Sequence, residues 1–214
     1  MPNWIDINKF RIQNSPGRTP ATGQAEFRTQ ELRKELHIDS AKKVVLFAHR
    51  LSERKGAHYL PEIIQAFKGQ SVVFIIIGDG QERQNLEFRI QNLELTHSVR
   101  LLGWVPNEEL PKYYAIADLF IMPSDEEGFP RVLLEAMAME LPFVAFGVGG
   151  VPEIVPQELK NFVVSHGAQK QFIGAMNYIL NASHEDIIAI QKREKEWVKK
   201  FDVKDVAKRF RELF

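Results

Sequence analysis

The sequence has no cysteine, no long apolar run and no excess of either charge. The lack of cysteine excludes disulfide bonds, zinc–thiolate sites and thiol catalysis. No apolar segment approaches the roughly 20 residues that span a bilayer, and residues 1–10 lack the apolar core of a signal peptide. Lysine plus arginine and aspartate plus glutamate each number 28, so the charge gives no indication of nucleic acid binding. We expect a cytoplasmic protein, at most peripheral to a membrane.

Six apolar runs alternate with helical stretches and predict the fold class. The runs lie at residues 44–48, 72–77, 99–102, 119–122, 143–146 and 162–164. They are continuous rather than alternating in polarity, which is typical of parallel strands covered on both faces. We predict an α/β fold with a doubly wound, Rossmann-like parallel sheet of about six strands and C-terminal helices. An α+β sheet is the alternative.

The loop after the first predicted strand carries Arg50 and Lys55. In parallel α/β sheets ligands bind beyond the carboxyl ends of the strands, so the loops that follow strands are candidate binding segments. Arginine offers a planar fork to phosphate oxygens and lysine offers a mobile point charge. The pair therefore suits a diphosphate without a metal. The alternative is a solvated run of charge.

Two glutamates flank a predicted helix start after the fourth strand. Pro130 fits the first helical position, which places Glu127 in the loop and Glu135 two turns into the helix. The first-turn amides lack intrahelical partners, so they form a candidate anion seat between the two carboxylates. Gly149 and Gly150, after the fifth strand, would bring further amides to the opposite side. The alternatives are solvated carboxylates and a flexible glycine turn.

Cofactor and metal sites are not expected. Gly78-Asp79-Gly80 matches half of a dinucleotide fingerprint, but Arg83 stands at the place of the third glycine. A tight turn between strand and helix explains these residues without a nicotinamide or flavin. The carboxylates at 125–127 suggest a hard cation, but the nearby Arg50 and Lys55 already supply countercharge.

The order and spacing of these motifs resemble a known enzyme family. The matching segments are Arg50-Leu51 with Lys55-Gly56, Gly78-Asp79-Gly80, Leu102-Gly103-Trp104-Val105, Ala117-Asp118, Pro123-Ser124, Glu127 to Glu135, Ala136-Met137-Ala138 and Gly149-Gly150-Val151-Pro152-Glu153. Together they resemble the C-terminal, donor-binding half of a retaining glycosyltransferase with the GT-B fold, of the glycosyltransferase family 4 (glycosyl transferases group 1) type. The resemblance spans nearly the whole chain.

The resemblance implies that these residues bind a nucleotide-diphospho-sugar, such as a UDP-sugar or GDP-sugar. Arg50 and Lys55 would bind the diphosphate, Glu127 would orient hydroxyls of the sugar, and Glu135 would take the ribose hydroxyls. Glu127, Arg50 and Lys55 are the catalytic candidates. The remaining donor contacts would come from Val105 against the base, and from Gly128, Phe129, Val132, Leu133, Gly149 and Gly150 against sugar or phosphate. The enzyme would be retaining and independent of metal, with the nucleotide sugar as substrate rather than cofactor.

The resemblance also divides the chain and implies a further domain. Residues 1–25 would be a linker from an N-terminal domain and an exposed loop, and residues 26–200 the nucleotide-sugar-binding domain. Residues 201–214 would form a helix that packs back across the cleft. The acceptor site would belong to the N-terminal half, joined covalently or separate, through which the enzyme would associate with a membrane. We expect the isolated chain to bind donor without efficient transfer of a hexosyl-type sugar.

Several residues depart from the family pattern, including Trp4 and Phe162 in place of common glycines. His49 and Glu140 stand where glycine is usual, and Pro130 removes a backbone amide. These departures bear on donor identity more than on the fold. They leave two alternatives: a non-catalytic interaction module that keeps the fold, and a sugar-nucleotide epimerase with the GT-B fold, which the arrangement of the glutamates disfavours.

Overall fold

A parallel six-stranded sheet forms the centre of the molecule. The computed structural model describes Asp6 and residues 23–202, with side chains described from residue 29 onward in the second range. The strands are β1 (Lys43–Ala48), β2 (Val72–Ile77), β3 (Val99–Gly103), β4 (Leu119–Met122), β5 (Phe143–Phe146) and β6 (Val163–Val164). Their order in the sheet is β3-β2-β1-β4-β5-β6, and every neighbouring pair is parallel. The predicted fold class is confirmed.

Helices flank this sheet. They are α1 (Gly23–Glu35), α2 (Leu60–Gln65), α3 (Arg83–Asn92), α4 (Leu110–Ile116), α5 (Arg131–Ala138), α6 (Val151–Ile154), α7 (Gln169–Asn181) and α8 (His184–Val198). Helix α8 begins where Ser183 caps it: the Ser183 hydroxyl accepts from the amide of Asp186 at 3.2 Å. Between residues 23 and 202, no helix combines the length and the hydropathy that a membrane-spanning segment needs.

Most predicted boundaries agree with the structure. Strands β2, β4 and β5 have the predicted bounds, and all of their residues are buried, as the continuous apolar runs indicate. Helix α1 begins at Gly23, before residue 26, where the resemblance places the start of the nucleotide-sugar-binding domain. The proposed linker at residues 1–25 and the proposed helix at 201–214 lie largely outside the described residues, so that division of the chain stays a prediction.

The strand order brings two loops together at the carboxyl edge of the sheet. Strand β1 pairs with β2 on one side and with β4 on the other, so the topology reverses between β1 and β4. Ligands bind at such switch points because adjacent loops diverge there and leave a crevice. The loops that carry Arg50 and Glu127 follow these two strands, and they therefore lie side by side.

Glu140 has a backbone conformation that glycine adopts more easily. It follows the end of α5 with φ of 54°, in the left-handed region, and its carboxylate lies 2.7 Å from the Lys195 ammonium of α8. A side chain in this region raises the backbone energy because Cβ approaches the neighbouring peptide. A partly exposed ion pair compensates little of that energy. The glycine expected from the family resemblance therefore has a local physical reason.

We expect Glu140→Gly to raise the free energy of unfolding by about 1 kcal/mol, because it removes the left-handed strain. The measurement is urea unfolding at neutral pH. Glu140→Ala is the matched control: it loses the contact with Lys195 but keeps the Cβ atom, so it should not stabilise the chain. Equal stability of the Gly and Ala variants would contradict the explanation.

Candidate functional site

Backbone contacts hold the loops after β1 and β4 against each other. The amides of Asp125 and Glu126 both donate to the carbonyl of Arg54, at 3.0 and 3.1 Å. Gly56 lies so close to Pro123 that a Cβ atom on it would fall 1.7 Å from the Pro123 carbonyl oxygen. Only glycine permits this approach, and it also has φ of 72°. The two loops thus form one surface.

Glu127 lies at the centre of this surface and is almost fully buried. Its Oε1 accepts from the Ser124 hydroxyl at 2.8 Å and lies 3.2 Å from His49 Nε2, while its Oε2 lies 2.8 Å from Lys55 Nζ. Lys55 Nζ also donates to the Glu126 carbonyl at 3.1 Å. The structure therefore brings together two of the predicted residues, Glu127 and Lys55, in a direct ion pair.

Glu127 is an anion at neutral pH. Burial by itself would raise the pKa of this carboxyl, but hydrogen bonds from His49, Lys55 and Ser124 outweigh burial and lower the pKa to about 2. A group with so low a pKa holds no proton to give at neutral pH. Glu127 can accept hydrogen bonds from ligand hydroxyls, but it is not suited to act as a general acid.

Gly149 packs on the backbone of Glu127. It has φ of 51°, and a Cβ atom on it would lie 1.6 Å from the Glu127 carbonyl oxygen. The next residue, Gly150, donates its amide to the Gly128 carbonyl at 3.1 Å. The amide of Gly150, predicted as a ligand contact, thus supports the Glu127 loop in this structure. The two glycines fix the back of the site.

Helix α5 begins one residue later than predicted. Pro130 precedes the helix as its N-cap, and its carbonyl accepts from the amides of Leu133 and Leu134 at 3.1 and 3.4 Å. The amide of Arg131 donates to the Phe129 carbonyl at 3.0 Å. Several first-turn amides, which the sequence analysis predicted as an anion-binding site, thus donate to backbone carbonyls instead. The predicted Leu133 contact is among them.

Glu135 is the fifth residue of α5, so it lies about one turn into the helix and not two turns as predicted. Its Oε2 accepts from the hydroxyl of the buried Tyr114, on α4, at 3.1 Å. Burial raises the pKa of Glu135, and the Tyr114 hydrogen bond and the charge of Arg131 oppose that rise. Burial also raises the pKa of Tyr114 well above its usual value, and the charge and hydrogen bond of Glu135 add to the rise, so the phenol remains a donor. Tyr114 thus orients one Glu135 oxygen.

A cleft of about 370 Å³ opens beside these residues. It contains three of the predicted positions, Arg50, Val105 and Val132, and its wall is mostly apolar near Trp104 and Leu110. Trp104 is 73% exposed and Arg50 is exposed as well. His49 lines the cleft and also contacts Glu127, so it connects the cleft with the buried ion pair.

The carboxylate of Asp125 contacts protein side chains rather than facing the cleft. Its Oδ1 accepts from the Tyr59 hydroxyl at 2.9 Å and lies 2.7 Å from His166 Nε2. In the part of the chain that the structure describes, no group of three or more His, Asp or Glu side chains is placed to share a metal ion. Independence of metal stays a prediction.

Three residues of the site had no role assigned from the sequence. Ser124 and Tyr114 orient Glu127 and Glu135, and His49 was singled out only as a departure from glycine. Ser124 lies only three residues before Glu127, so a local sequence pattern could have indicated their contact. The contacts of Tyr114 and His49 join distant parts of the chain, and no local pattern reports them.

We expect Gly149→Ala to destabilise the chain much more than Gly167→Ala. Gly167 has φ of 73°, and a Cβ atom on it would have no other atom within 4 Å, so its replacement costs only the left-handed strain, about 1 kcal/mol. At Gly149 the methyl also collides with the Glu127 backbone, which should bring the total to about 3 kcal/mol or more. Urea unfolding of both variants measures the difference. Similar losses would contradict the close approach of the two loops.

The low pKa of Glu127 predicts a loss of stability in acid. Because the folded pKa of about 2 lies below the ordinary 4.5, the contribution is complete above pH 4.5 and is lost as the pH falls towards 2. Glu127→Gln lacks this titration. The difference in free energy of unfolding between the parent chain and this variant should therefore shrink by about 3 kcal/mol from pH 6 to pH 2. Parallel pH profiles would show that the donors around Glu127 do not hold its charge.

Comparison with known proteins identifies relatives of this chain. The family model described as Glycosyl transferases group 1 matches residues 28–210. The amylovoran biosynthesis glycosyltransferase AmsK of Erwinia amylovora is 32% identical over 154 residues, covering 68% of this chain and 38% of that protein. The sulfoquinovosyl transferase SQD2 of Arabidopsis thaliana is 29% identical over 199 residues, covering 91% of this chain and 38% of that protein.

Solved structures agree with the fold. The crystal structure of Anabaena HepE in complex with UDP and glucose matches with a TM-score of 0.82 at 26% identity, covering 99% of this chain and 55% of HepE. The chain thus spans about half or less of the length of these relatives. The predicted likeness to one half of a GT-B glycosyltransferase is confirmed, while assignment to glycosyltransferase family 4 stays a prediction. With its parallel sheet, its glutamates at the switch point and a family match over residues 28–210, the chain belongs to the glycosyl transferases group 1 family.

Proposed function

We propose that the chain is the donor-binding domain of a retaining glycosyltransferase. The observation that carries the proposal is the buried, ionised Glu127 in contact with Lys55, beside a cleft that Arg50 also lines. Arg50 and His49 line the cleft, and His49 contacts Glu127, so an acceptor for sugar hydroxyls and cations for a diphosphate lie next to each other although Lys55 and Glu127 do not themselves line the cleft. HepE, which has this fold, was crystallised with UDP and glucose, and that supports the same ligand class here.

Arg50 and Lys55 bind the diphosphate in this proposal. Arg50 is exposed at the cleft and can present its planar guanidinium to phosphate oxygens. Lys55 Nζ has three hydrogens, of which two are directed to Glu127 and to the Glu126 carbonyl. The third is available for a phosphate oxygen. The charge of the diphosphate is thereby offset by side chains, without a metal.

The nucleoside occupies the apolar part of the cleft. Trp104, Val105 and Leu110 supply a surface against which a flat base packs favourably. Glu135 takes the ribose hydroxyls with its Oε1, since Tyr114 already donates to Oε2. Glu127 faces the sugar. The donor thus extends from the Val105 loop, past Arg50 and Lys55, to the loop of Glu127.

Stabilisation of the leaving group is the main catalytic contribution of this domain. In the reaction the bond between the anomeric carbon and the diphosphate oxygen breaks, the electron pair leaves with the diphosphate, and the sugar becomes oxocarbenium-like. Arg50 and Lys55 offset the charge that develops on the departing oxygen. Because Glu127 stays ionised, its part is to orient sugar hydroxyls rather than to protonate the leaving group.

The acceptor is bound elsewhere in this proposal. Because the chain spans about half or less of its relatives, we assign the acceptor, a glycan, lipid or small molecule, to a further domain or subunit. Any membrane contact belongs to that part as well. The present chain then binds a hexosyl-type donor but transfers the sugar inefficiently by itself.

Calorimetric titration of the chain with UDP, GDP and ADP, and with a hexose ester of each, tests the proposal. We expect one nucleotide and its sugar to bind with a dissociation constant below about 1 mM, which corresponds to about 4 kcal/mol of binding free energy. Absence of binding by all of them at millimolar concentration would refute the assignment of this site.

Arg50→Ala should weaken binding of that nucleoside diphosphate at least about tenfold, because a charge-assisted contact with phosphate is lost. Arg54→Ala is the matched control: Arg54 lies in the same loop, and its guanidinium contacts the exposed Glu126 at 2.7 Å. Its removal should change the affinity less than about twofold. The same calorimetric titration measures both. Equal effects would mean that the loop acts only through its net charge.

A further inference from the structure

His49 is held in place by the sheet and by two hydrogen bonds of its ring. It follows β1 directly, and its amide donates to the Ile77 carbonyl at 3.0 Å, which continues the pairing of β1 with β2. Its imidazole accepts from the amide of Arg50 at Nδ1, at 2.9 Å, and contacts Glu127 Oε1 through Nε2, at 3.2 Å. The side chain is 19% exposed. The imidazole ring therefore connects the loop after β1, through the Arg50 amide, with the carboxylate of Glu127.

These two contacts define the tautomer of His49. An amide donates only to a nitrogen with a free lone pair, so Nδ1 carries no hydrogen. The hydrogen of the neutral ring is then on Nε2, where it is directed to Glu127 Oε1. The ring acts as a hydroxyl group would, since it accepts from a backbone amide on one side and donates to a carboxylate on the other. His49 thus takes up one of the hydrogen-bonding positions on Glu127 Oε1.

A carboxylate accepts about four hydrogen bonds, two at each oxygen. On Glu127, Oε1 already accepts from Ser124 and His49, and Oε2 accepts from Lys55. One position remains, on Oε2. With glycine in place of His49, a second position would be open on Oε1. The side chain of His49 therefore decides how many hydroxyls this carboxylate can contact.

We propose that His49 limits Glu127 to a single hydroxyl of the donor sugar and is a specificity-determining residue of this site. The inference rests on the proposed function, in which Glu127 faces the sugar. It narrows the substrate class to nucleotide-diphospho-sugars that present one hydroxyl to Glu127. Removal of a second hydroxyl near Glu127 leaves the affinity for the sugar unchanged, because Glu127 has no second position to lose.

The test uses the nucleotide sugar that binds best in the titration above, together with its 2-, 3-, 4- and 6-deoxy analogues. Each is titrated into the parent chain, into Glu127→Ala, into His49→Gly and into the double variant. A hydroxyl is coupled to Glu127 when its removal weakens binding about tenfold in the presence of Glu127 and has no effect in its absence. We expect one coupled hydroxyl in the parent chain and two when His49 is glycine.

His49→Ala serves where the glycine variant fails to fold, since it also removes the ring, and the same result is expected. His97→Ala, at an exposed histidine outside the cleft, is the control and should retain one coupled hydroxyl. In addition, ¹⁵N spectra of histidine-labelled chain should show His49, assigned by its loss in the variant, with hydrogen on Nε2 alone.

Two coupled hydroxyls in the parent chain, none in it, or an unchanged number without His49 would each overturn the inference. A hydrogen on Nδ1 of His49 would also overturn the inference. These outcomes differ from failure of the proposed function, which is the absence of binding by every nucleotide and nucleotide sugar. A histidine with a merely structural role would alter the affinity for all analogues equally. A change in the number of coupled hydroxyls therefore indicates a role of His49 in specificity.

Discussion

The buried ion pair between Lys55 and Glu127 is the contact on which the rest of the site depends. Removal of a carboxylate from water costs several kcal/mol unless charges and hydrogen bonds replace the lost solvation. Lys55, His49 and Ser124 supply that replacement, and they come from the loops after β1 and β4. Because Lys55 and His49 lie in one loop and Glu127 in the other, these contacts hold the two loops against each other.

Contacts within the protein also hold the other residues of the site. Gly149 supports the backbone of Glu127, and Tyr114 of α4 orients Glu135. A ligand that meets fixed donors and acceptors loses less free energy to their ordering than one that meets mobile side chains. Arg50 is the exception, because its side chain is exposed at the cleft. The structure thus combines a buried carboxylate held by several protein contacts with an exposed cation at the cleft.

Much of the fold and part of the site were predictable from local sequence. The apolar runs that became β2, β4 and β5 have the predicted bounds, because a strand covered on both faces excludes polar residues along its whole length. The same reasoning located Arg50 and Glu127 in loops at one edge of the sheet. The start of α5 was misplaced at Pro130, since proline fits both the cap and the first helical turn, and only the actual hydrogen bonds distinguish them.

The sequence by itself determined the parallel sheet, its carboxyl edge and the residue types available there, because hydrophobic periodicity and turn residues act over short distances along the chain. Tertiary structure alone decided the partners of those residues. The contacts of His49 with Glu127 and of Tyr114 with Glu135 join segments far apart in sequence. Whether such hydrogen bonds form depends on differences in distance of about a few tenths of an ångström, which no local pattern of residues encodes. The number of positions left open on Glu127 follows from those distances.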